Sequence, residues 1–252
     1  MVAIAYSVAF EGIDARLVEV QCSVAAGLPG FAIVGLPDKA VSEARERVKA
    51  AFGALSIAMP NRRLTVNLSP ADLPKEGSHF DLPIALAILA ALEIVPGEEL
   101  SRCVALGELA LDGRLVAVAG ALPAAMAAAE DERALICPRA CGPEAAWVDA
   151  VPVLAPTTLR EVIDHLTDRA PIARAQPGMI DAAPLGGCLS EVKGQERAKR
   201  ALEIAAAGRH HLLMSYHIRV FGIKAGKLLY ISEKTQQASI QKIKEWAHKV
   251  WT

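Results

Sequence analysis

The chain has 252 residues, of which 53% are hydrophobic and 22% charged, and its formal net charge is −1. This length allows one large domain or two small ones with a buried core. The near-neutral balance excludes a general electrostatic attraction to nucleic acid. The five cysteines are odd in number and scattered, so we predict a reducing compartment, with neither a disulfide framework nor a metal site.

Neither the N-terminal sequence nor the longest apolar run is typical of a membrane or exported protein. The N-terminal sequence MVAIAYSVAFEG has no basic region and reaches an acidic residue at Glu11, which is not typical of a signal peptide. The longest apolar run, LPIALAILAALEIV, is too short to span a bilayer. We therefore expect a cytoplasmic protein with no membrane partner.

The first part of the chain predicts alternating strands and helices. Alternation of apolar and polar residues indicates paired strands over 4–12 and 15–25, and a third strand follows over 30–37. An amphipathic helix is predicted over 37–55, and another strand over 62–70.

A buried helix and a hairpin come next. Asp81 is placed to cap a helix over 82–94, and this helix is apolar on all sides, so we expect it to be buried. Asp112-Gly113 indicates a hairpin between two short strands. The remaining predicted elements are a helix over 121–130, a strand over 134–138, a helix over 143–148, a strand over 151–156 and a helix over 157–167. The fold class is therefore predicted to be α/β (α+β).

Composition changes abruptly near the C-terminal end. Residues 1–214 carry 15 Arg and 5 Lys with a net charge of −6, whereas residues 215–252 carry 1 Arg and 6 Lys with a net charge of +5. We therefore expect 215–252 to be a basic tail of different origin. The Pro- and Gly-rich residues 169–187 are predicted to link a first domain, 1–168, to the segment 188–214.

Long motifs carry a resemblance to known families. LPKEGSHFDLPIALAILAALEIV, followed by ALGELALDGRLVAVAGALPAA, resembles the C-terminal domain of Lon protease. SVAFEGIDARLVEVQCSVAAGLPGFAIVGLPDKAVSEARERVKAAF, with NRRLTVNLSPADLPKEG after it, is still more similar to the N-terminal domain of Mg-chelatase-like AAA+ ATPases, which include bacterial competence proteins. The resemblance covers residues 3–214, and it implies a Lon-like domain in which a mixed sheet packs against helices.

The resemblance also implies a motor. In the family, a Lon-like domain precedes an AAA+ module that uses ATP and Mg2+, and competence members act as homo-oligomeric rings that drive branch migration of DNA. LSEVKGQERAKRALEIAAAGRHHLLM is similar to the opening of that module, and Val192, Gly194 and Gln195 match its adenine-side segment. The family would continue from Met214 into a phosphate-binding loop of the form G-x-x-x-x-G-K-[ST].

No such loop is predicted in this chain. In RVFGIKAGKLL, Gly226 and Lys227 would supply the Gly-Lys pair, but Phe221 then stands where the first glycine is required. Leu228 occupies the position of the hydroxyl residue that binds Mg2+. We therefore expect an AAA+ module truncated before the phosphate-binding loop, with a non-functional adenine-side remnant and neither ATP nor Mg2+ as a cofactor of this chain.

A protease is also disfavoured. The resemblance places His79 and Leu122 at the two positions of the Lon Ser-Lys dyad, so both the nucleophile and its amine base are missing. Ser78 and Lys75 are the alternatives for a cryptic protease. Against them, Asp81 would place a carboxylate at a helix N-terminus, where it repels a developing oxyanion. We predict that Ser78 and His79 are turn residues and that none of these groups is catalytic.

Two basic features are candidate nucleic-acid contacts. Arg62 and Arg63 form the concentrated basic spot of the first part of the chain, and residues 240–251 combine lysines and tryptophans in an amphipathic helical pattern. The sequence favours a non-catalytic fragment of a Mg-chelatase-like ATPase whose intact relatives process DNA as rings. A nucleic-acid-binding module that acts through the basic tail is the alternative.

Overall fold

The structure is a computed structural model that describes residues 2–12, 14–179 and 196–208. The chain divides into two compact units, 1–179 and 180–252. The structure describes residues 169–179 of the predicted linker but not 180–187, and it describes only 196–208 of the segments that follow, so the predicted divisions of the chain stay predictions.

Strands and helices are interspersed along the described residues. The strands are β1 (Val2–Glu11), β2 (Asp14–Ala25), β3 (Gly30–Val34), β4 (Arg63–Ser69), β5 (Cys103–Ala105), β6 (Glu108–Leu109), β7 (Leu115–Val116), β8 (Ala134–Ile136) and β9 (Val153–Leu154). The helices are α1 (Lys39–Ala54), α2 (Asp81–Ala91), α3 (Gly97–Ser101), α4 (Ala121–Glu130), α5 (Gly142–Ala145), α6 (Leu159–Leu166) and, in the second unit, α7 (Glu196–Gly208). A 3-10 turn, Ser78–Phe80, precedes α2.

Within the described residues, seven strands form one mixed sheet in the order β3-β4-β2-β1-β5-β8-β9. β1, β2 and β4 are antiparallel neighbours, whereas β3–β4, β1–β5, β5–β8 and β8–β9 are parallel. Parallel neighbours need a crossover, and α1 joins β3 to β4 as α5 joins β8 to β9. β6 and β7 form a separate hairpin around Gly113, whose φ is +85°. The α/β class with a mixed sheet is confirmed.

Helices cover both faces of the sheet. On one face, α1, α2 and α6 enclose a core that includes Val18 and Val20 of β2. On the other face, α4 and α5 enclose a second core that includes Val8 of β1. Val8 pairs with Leu17, the neighbour of Val18, so the alternation of side chains along a strand places the two cores on opposite faces.

The helix α2 is buried on all sides, as its uniformly apolar sequence predicts. Every residue from Asp81 to Ala90 is buried, and the helix packs against β1, β2 and α1. At 11 residues it is much shorter than a bilayer span. None of the helices in the described ranges is long and apolar enough to cross a membrane.

Some helix boundaries differ from the predictions for local reasons. α1 begins at Lys39 rather than at residue 37, because the Asp38 carboxylate caps it by accepting from the Val41 N–H at 2.7 Å. α2 ends at Ala91 rather than at residue 94, because Glu93 adopts a left-handed φ of +60°. The short helix α3 that follows was not predicted.

Asp81 does not cap α2, and that prediction is wrong. The 3-10 turn Ser78–Phe80 runs directly into the helix, so the residue before Asp81 is already helical and Asp81 lies in the first turn. Its carboxylate accepts hydrogen bonds from Arg47 and from the Leu109 N–H instead. The side chain is therefore committed to tertiary contacts.

Candidate functional site

The two positions that the resemblance assigns to a dyad lie before or at the start of two helices. His79 lies in the turn that leads into α2, here called the entry turn (residues 74–81), and Leu122 lies in the first turn of α4. Phe10 of β1 lies close to His79 and to Gly120, the residue before α4. Its ring centroid is 5.2 Å from that of His79, and a Cβ atom at Gly120 would lie 2.4 Å from its Cζ. The structure therefore places this ring beside His79 and beside Gly120, two residues before Leu122.

His79 is a buried structural residue. Its Nε2 donates to the Val8 carbonyl at 2.9 Å, and its ring contacts Phe10 and Phe80, with the second centroid at 4.3 Å. Burial lowers the pKa of His79 below its ordinary value, while the hydrogen bond to Val8 opposes that shift. The imidazole is consequently neutral at neutral pH and connects the entry turn to β1.

Ser78 and Lys75 do not form a replacement dyad in the structure. The Ser78 hydroxyl donates to the Glu108 carboxylate, and the Lys75 ammonium donates to the Pro70 carbonyl. Lys75 is fully buried, and this burial lowers its pKa. A serine nucleophile requires a base that accepts its proton along a hydrogen bond, and the Lys75 amine is directed elsewhere.

A buried ion pair holds the C-terminal end of the entry turn. Arg47 of α1 binds Asp81 with two parallel hydrogen bonds, Nε to Oδ2 at 2.6 Å and Nη2 to Oδ1 at 2.9 Å. The Leu109 N–H adds a third donor at 3.1 Å. Burial raises the pKa of Asp81, and the hydrogen bonds from Arg47 and Leu109 oppose that rise. The entry turn is thereby joined to both α1 and β6.

Two further carboxylates accept hydrogen bonds from the entry turn. Asp38 caps α1 and also accepts from the Gly77 N–H at 3.2 Å, while Glu108 accepts from Ser78. Gly77 has a φ of +94°, which favours glycine at this point of the turn. The side chains of Lys75, Ser78, His79 and Asp81 are engaged in structural bonds, so the arrangement supports rigidity rather than proton transfer to a substrate.

Sequence reasoning missed Arg47 and Glu108 as partners of the entry turn. Arg47 stands three residues after Ala44 and four before Ala51, both of which are buried, so it flanks the apolar stripe of α1. A charged residue at such a flank signals a buried partner, but the signal does not identify that partner. For Asp38, the sequence Pro-Asp-Lys before an amphipathic pattern is a recognisable capping signal.

The basic residues Arg62 and Arg63 lie away from the entry turn. Both are exposed at the beginning of β4, where Arg62 borders a shallow depression beside Leu92 and Glu93. This depression lies at the C-terminal end of α2, whereas the entry turn lies at its N-terminal end. The structure thus separates the candidate nucleic-acid contact from the candidate dyad, and a role of the arginines in nucleic-acid binding stays a prediction.

The remaining predicted features fall elsewhere. The adenine-side residues Val192, Gly194 and Gln195, and the basic tail 215–252, lie outside the described residues. Among the described residues, no group of three or more His, Cys, Asp or Glu side chains is arranged to hold a metal ion.

We expect His79 to make stability decrease with falling pH. Burial lowers the pKa of His79 in the folded state, so the unfolded chain binds a proton more readily than the folded chain. The free energy of unfolding therefore falls as pH drops below the unperturbed imidazole value of about 6.5 toward the lowered folded value. In His79→Gln, whose amide does not titrate, this contribution is absent.

Urea unfolding at about pH 7.5 and about pH 5.5 measures the effect. The wild type should lose more stability between these two values than His79→Gln. All other titrating groups are common to both proteins, so the difference between the two losses isolates the imidazole. If the wild type and His79→Gln lose the same amount of stability between the two pH values, folding does not disfavour protonation of His79.

The first unit is a mixed α/β domain. Buried polar contacts hold its entry turn, in which the candidate catalytic residues Lys75, Ser78 and His79 lie. Two family models match the chain: "Subunit ChlI of Mg-chelatase" over residues 18–141 and "Magnesium chelatase, subunit ChlI" over residues 188–217. The matches include the entry turn in the first case and the adenine-side segment in the second.

Curated relatives extend this similarity. Competence protein ComM of Haemophilus influenzae is 42% identical over 216 residues, and an uncharacterised protein of Mycobacterium tuberculosis is 42% identical over 213 residues. YifB of Escherichia coli, also uncharacterised, is 39% identical over 203 residues. The three alignments cover 84%, 84% and 81% of this chain, and 42%, 42% and 40% of the respective relatives. The chain belongs to the Mg-chelatase-like family that includes ComM and YifB, and it spans about two-fifths of the length of these relatives.

Proposed function

We propose that residues 2–179 form a non-catalytic domain of an ATP-dependent DNA-processing protein of this family. In this proposal the domain hydrolyses neither peptides nor ATP. Work on DNA requires a complete AAA+ module, which uses ATP and Mg2+ and assembles as a homo-oligomeric ring. The domain then serves as a rigid attachment to that motor.

The proposal rests on the partners of the entry turn. His79 donates to Val8, Ser78 to Glu108, and Lys75 to Pro70. A peptidase needs a nucleophile in contact with a base and exposed to substrate. Here the hydroxyl next to the nucleophile position is bound to a carboxylate, and the nucleophile position itself holds a buried imidazole. Leu122, at the position of the base, has no group that accepts a proton.

Sequence and similarity support the motor half of the proposal. The Gly226-Lys227 pair has neither the first glycine nor the hydroxyl residue of a phosphate-binding loop, which argues against ATP hydrolysis by this chain. The similarity to ComM, whose name describes it as a competence protein, supports a role in DNA processing. The adenine-side residues lie outside the described residues, so no binding geometry is assigned to them.

The absence of catalysis is tested with the purified chain. Incubation with casein, and separately with ATP and Mg2+, should give no turnover above buffer. Ser78→Ala is the matched variant for the protease assay, and Lys227→Ala is the matched variant for the ATPase assay. Turnover that the wild type shows and the corresponding variant loses would contradict the proposal.

The role of the domain is tested by exchange with ComM of Haemophilus influenzae. In a chimera, residues 1–179 of this chain replace the aligned segment of ComM, and natural transformation is compared with that of a strain lacking ComM. The chimera should restore transformation, and Ser78→Ala within it should leave transformation unchanged at normal protein levels, because the hydroxyl takes part in no chemical step in this proposal. Failure of a well-folded chimera, or loss of transformation in Ser78→Ala at normal protein levels, would contradict a non-catalytic role.

A further inference from the structure

The two edges of the sheet differ in how they are covered. At the β9 edge, the chain returns alongside the strand: Leu154 forms a bridge with Arg174, and the Ala175 N–H donates to the Val153 carbonyl at 2.8 Å. At the opposite edge, β3 has β4 as its strand neighbour on one side, and among the described residues no strand pairs with its other side. An uncovered edge strand is a template for pairing with another chain.

The outward backbone groups of β3 belong to alternate residues. The Gly30 N–H points to β4, where it donates to the Arg62 carbonyl at 3.5 Å. Backbone groups of successive strand residues point to opposite sides, so those of Phe31 and Ile33 point away from β4. A contact from α1 confirms this direction, because Arg45 Nη1 approaches the Phe31 carbonyl at 3.5 Å. That distance is long, so a stronger donor can displace it.

One arginine lies at this edge, and two more lie at the beginning of the neighbouring strand β4. Arg45 lies above Phe31, and Arg62 and Arg63 lie beside Gly30 at the beginning of β4. Arg45 Nε and Nη1 donate to backbone carbonyls, and the salt bridges within the described part of the chain include none of these three arginines. Acidic side chains of a partner would complement this edge.

Apolar side chains lie at both ends of the same edge. Leu28, in the loop before β3, is 88% exposed, and Leu36, just after it, is 61% exposed. Val34, the last residue of the strand, is also exposed. Together the loops and the strand present apolar contacts at either end of a short row of backbone donors and acceptors.

We propose that the free edge of β3 binds an extended acidic segment of a partner protein, which joins the sheet as an additional strand. Backbone hydrogen bonds form with Phe31 and Ile33, and carboxylates pair with Arg45. At the adjoining end of β4, Arg62 and Arg63 add positive charge, and apolar side chains rest on Leu28 and Leu36. A second copy of the chain is the poorer occupant, since pairing of two β3 edges would place like charges together along the interface.

Fluorescence anisotropy with labelled peptides tests this proposal on the full chain. The probes are two peptides of about eight residues, one alternating glutamate and valine and the other alternating lysine and valine. The wild type should bind the glutamate peptide about fivefold more tightly than the lysine peptide. Arg45→Glu should remove or reverse this preference. Arg102→Glu, the same charge change at the exposed residue that follows α3, should leave it unchanged.

A backbone variant separates strand pairing from simple charge attraction. Ile33→Pro removes an outward N–H while the residues that face β4 keep theirs, and it should weaken binding of the glutamate peptide. Circular dichroism shows whether Ile33→Pro is folded. If this variant does not fold, the peptide preference of Arg45→Glu decides whether the proposal holds. The proposal is overturned if the glutamate peptide fails to bind at about 1 mM, or if Arg45→Glu leaves the preference intact.

Two other outcomes would assign the edge to a different occupant and also overturn the proposal. Sedimentation should show a monomer. A dimer that dissociates in Arg45→Glu or Ile33→Pro would assign the edge to a second copy. Binding of duplex DNA that is lost in Arg45→Glu, without binding of the glutamate peptide, would assign the arginines to nucleic acid.

Discussion

Replacing Arg47 with alanine is expected to lower the free energy of unfolding by about 3–5 kcal/mol. Asp81 is fully buried, and the variant would leave its carboxylate with the Leu109 N–H but without the two donors of the guanidinium. An uncompensated buried charge is among the most destabilising changes in a folded protein. Asp81→Ala should be less costly, because the Arg47 side chain retains 20% exposure and can reach water.

Urea unfolding of a double variant separates pairing from packing. In Arg47→Met/Asp81→Leu both charges are replaced by apolar groups, so the loss should be smaller than in Arg47→Ala alone. Arg102→Ala is the surface control. Its partners Glu98 and Glu99 are exposed, and the loss should stay below about 1 kcal/mol. A loss of the same small size in Arg47→Ala would show that the buried pair does not stabilise the domain.

Gly35→Ala is expected to be the most damaging single-methyl change, with a loss of about 3–5 kcal/mol. Gly35 adopts a φ of +104°, and a Cβ atom there would lie 2.1 Å from the Leu68 carbonyl oxygen and 2.9 Å from its carbon. The obstacle is backbone of β4, which cannot rotate away as a side chain can. The methyl group would therefore force the end of β3 away from its neighbour.

Gly53→Ala supplies the matched control for this substitution. Gly53 lies in α1, and a Cβ atom there would meet no heavy atom within 4 Å. Because alanine favours the helix, this variant should gain up to about 1 kcal/mol. Thermal or urea unfolding of both variants measures the contrast. If Gly35→Ala is as stable as the wild type, the close approach of β3 to β4 described above is incorrect.

The elements of the fold were predictable where one local signal dominated. The all-round apolar sequence of α2 predicted its burial, and Asp112-Gly113 predicted the β6–β7 hairpin. α3 was missed because its five residues offer too short a window for a helical period. The role of Asp81 was mistaken because a carboxylate at a helix start suits capping, while its actual partner, Arg47, is 34 residues away in sequence.

The candidate site was predictable only in its chemistry. The sequence indicated that His79 and Leu122 lack the groups of a Ser-Lys dyad, and the resemblance supplied their positions. It did not indicate that His79 lies beside Phe10, or that Ser78 binds Glu108 rather than Lys75. Contacts of this kind join residues distant in sequence, so they depend on strand order and packing rather than on any local pattern.

The pairing of β1 has a consequence for the order in which the domain folds. β1 pairs with β2 along its whole length, from Val2–Ser23 to Glu11–Asp14, but with β5 through Tyr6–Val104. The first pairing closes a tight turn, whereas the second must bring together residues far apart in the chain at a greater entropic cost. We expect β1 to β4 to assemble first and β5, β8 and β9 to join afterwards. The helix α2 packs against β1 and β2, which assemble first, and against β5, which joins later. It therefore connects the two parts of the sheet.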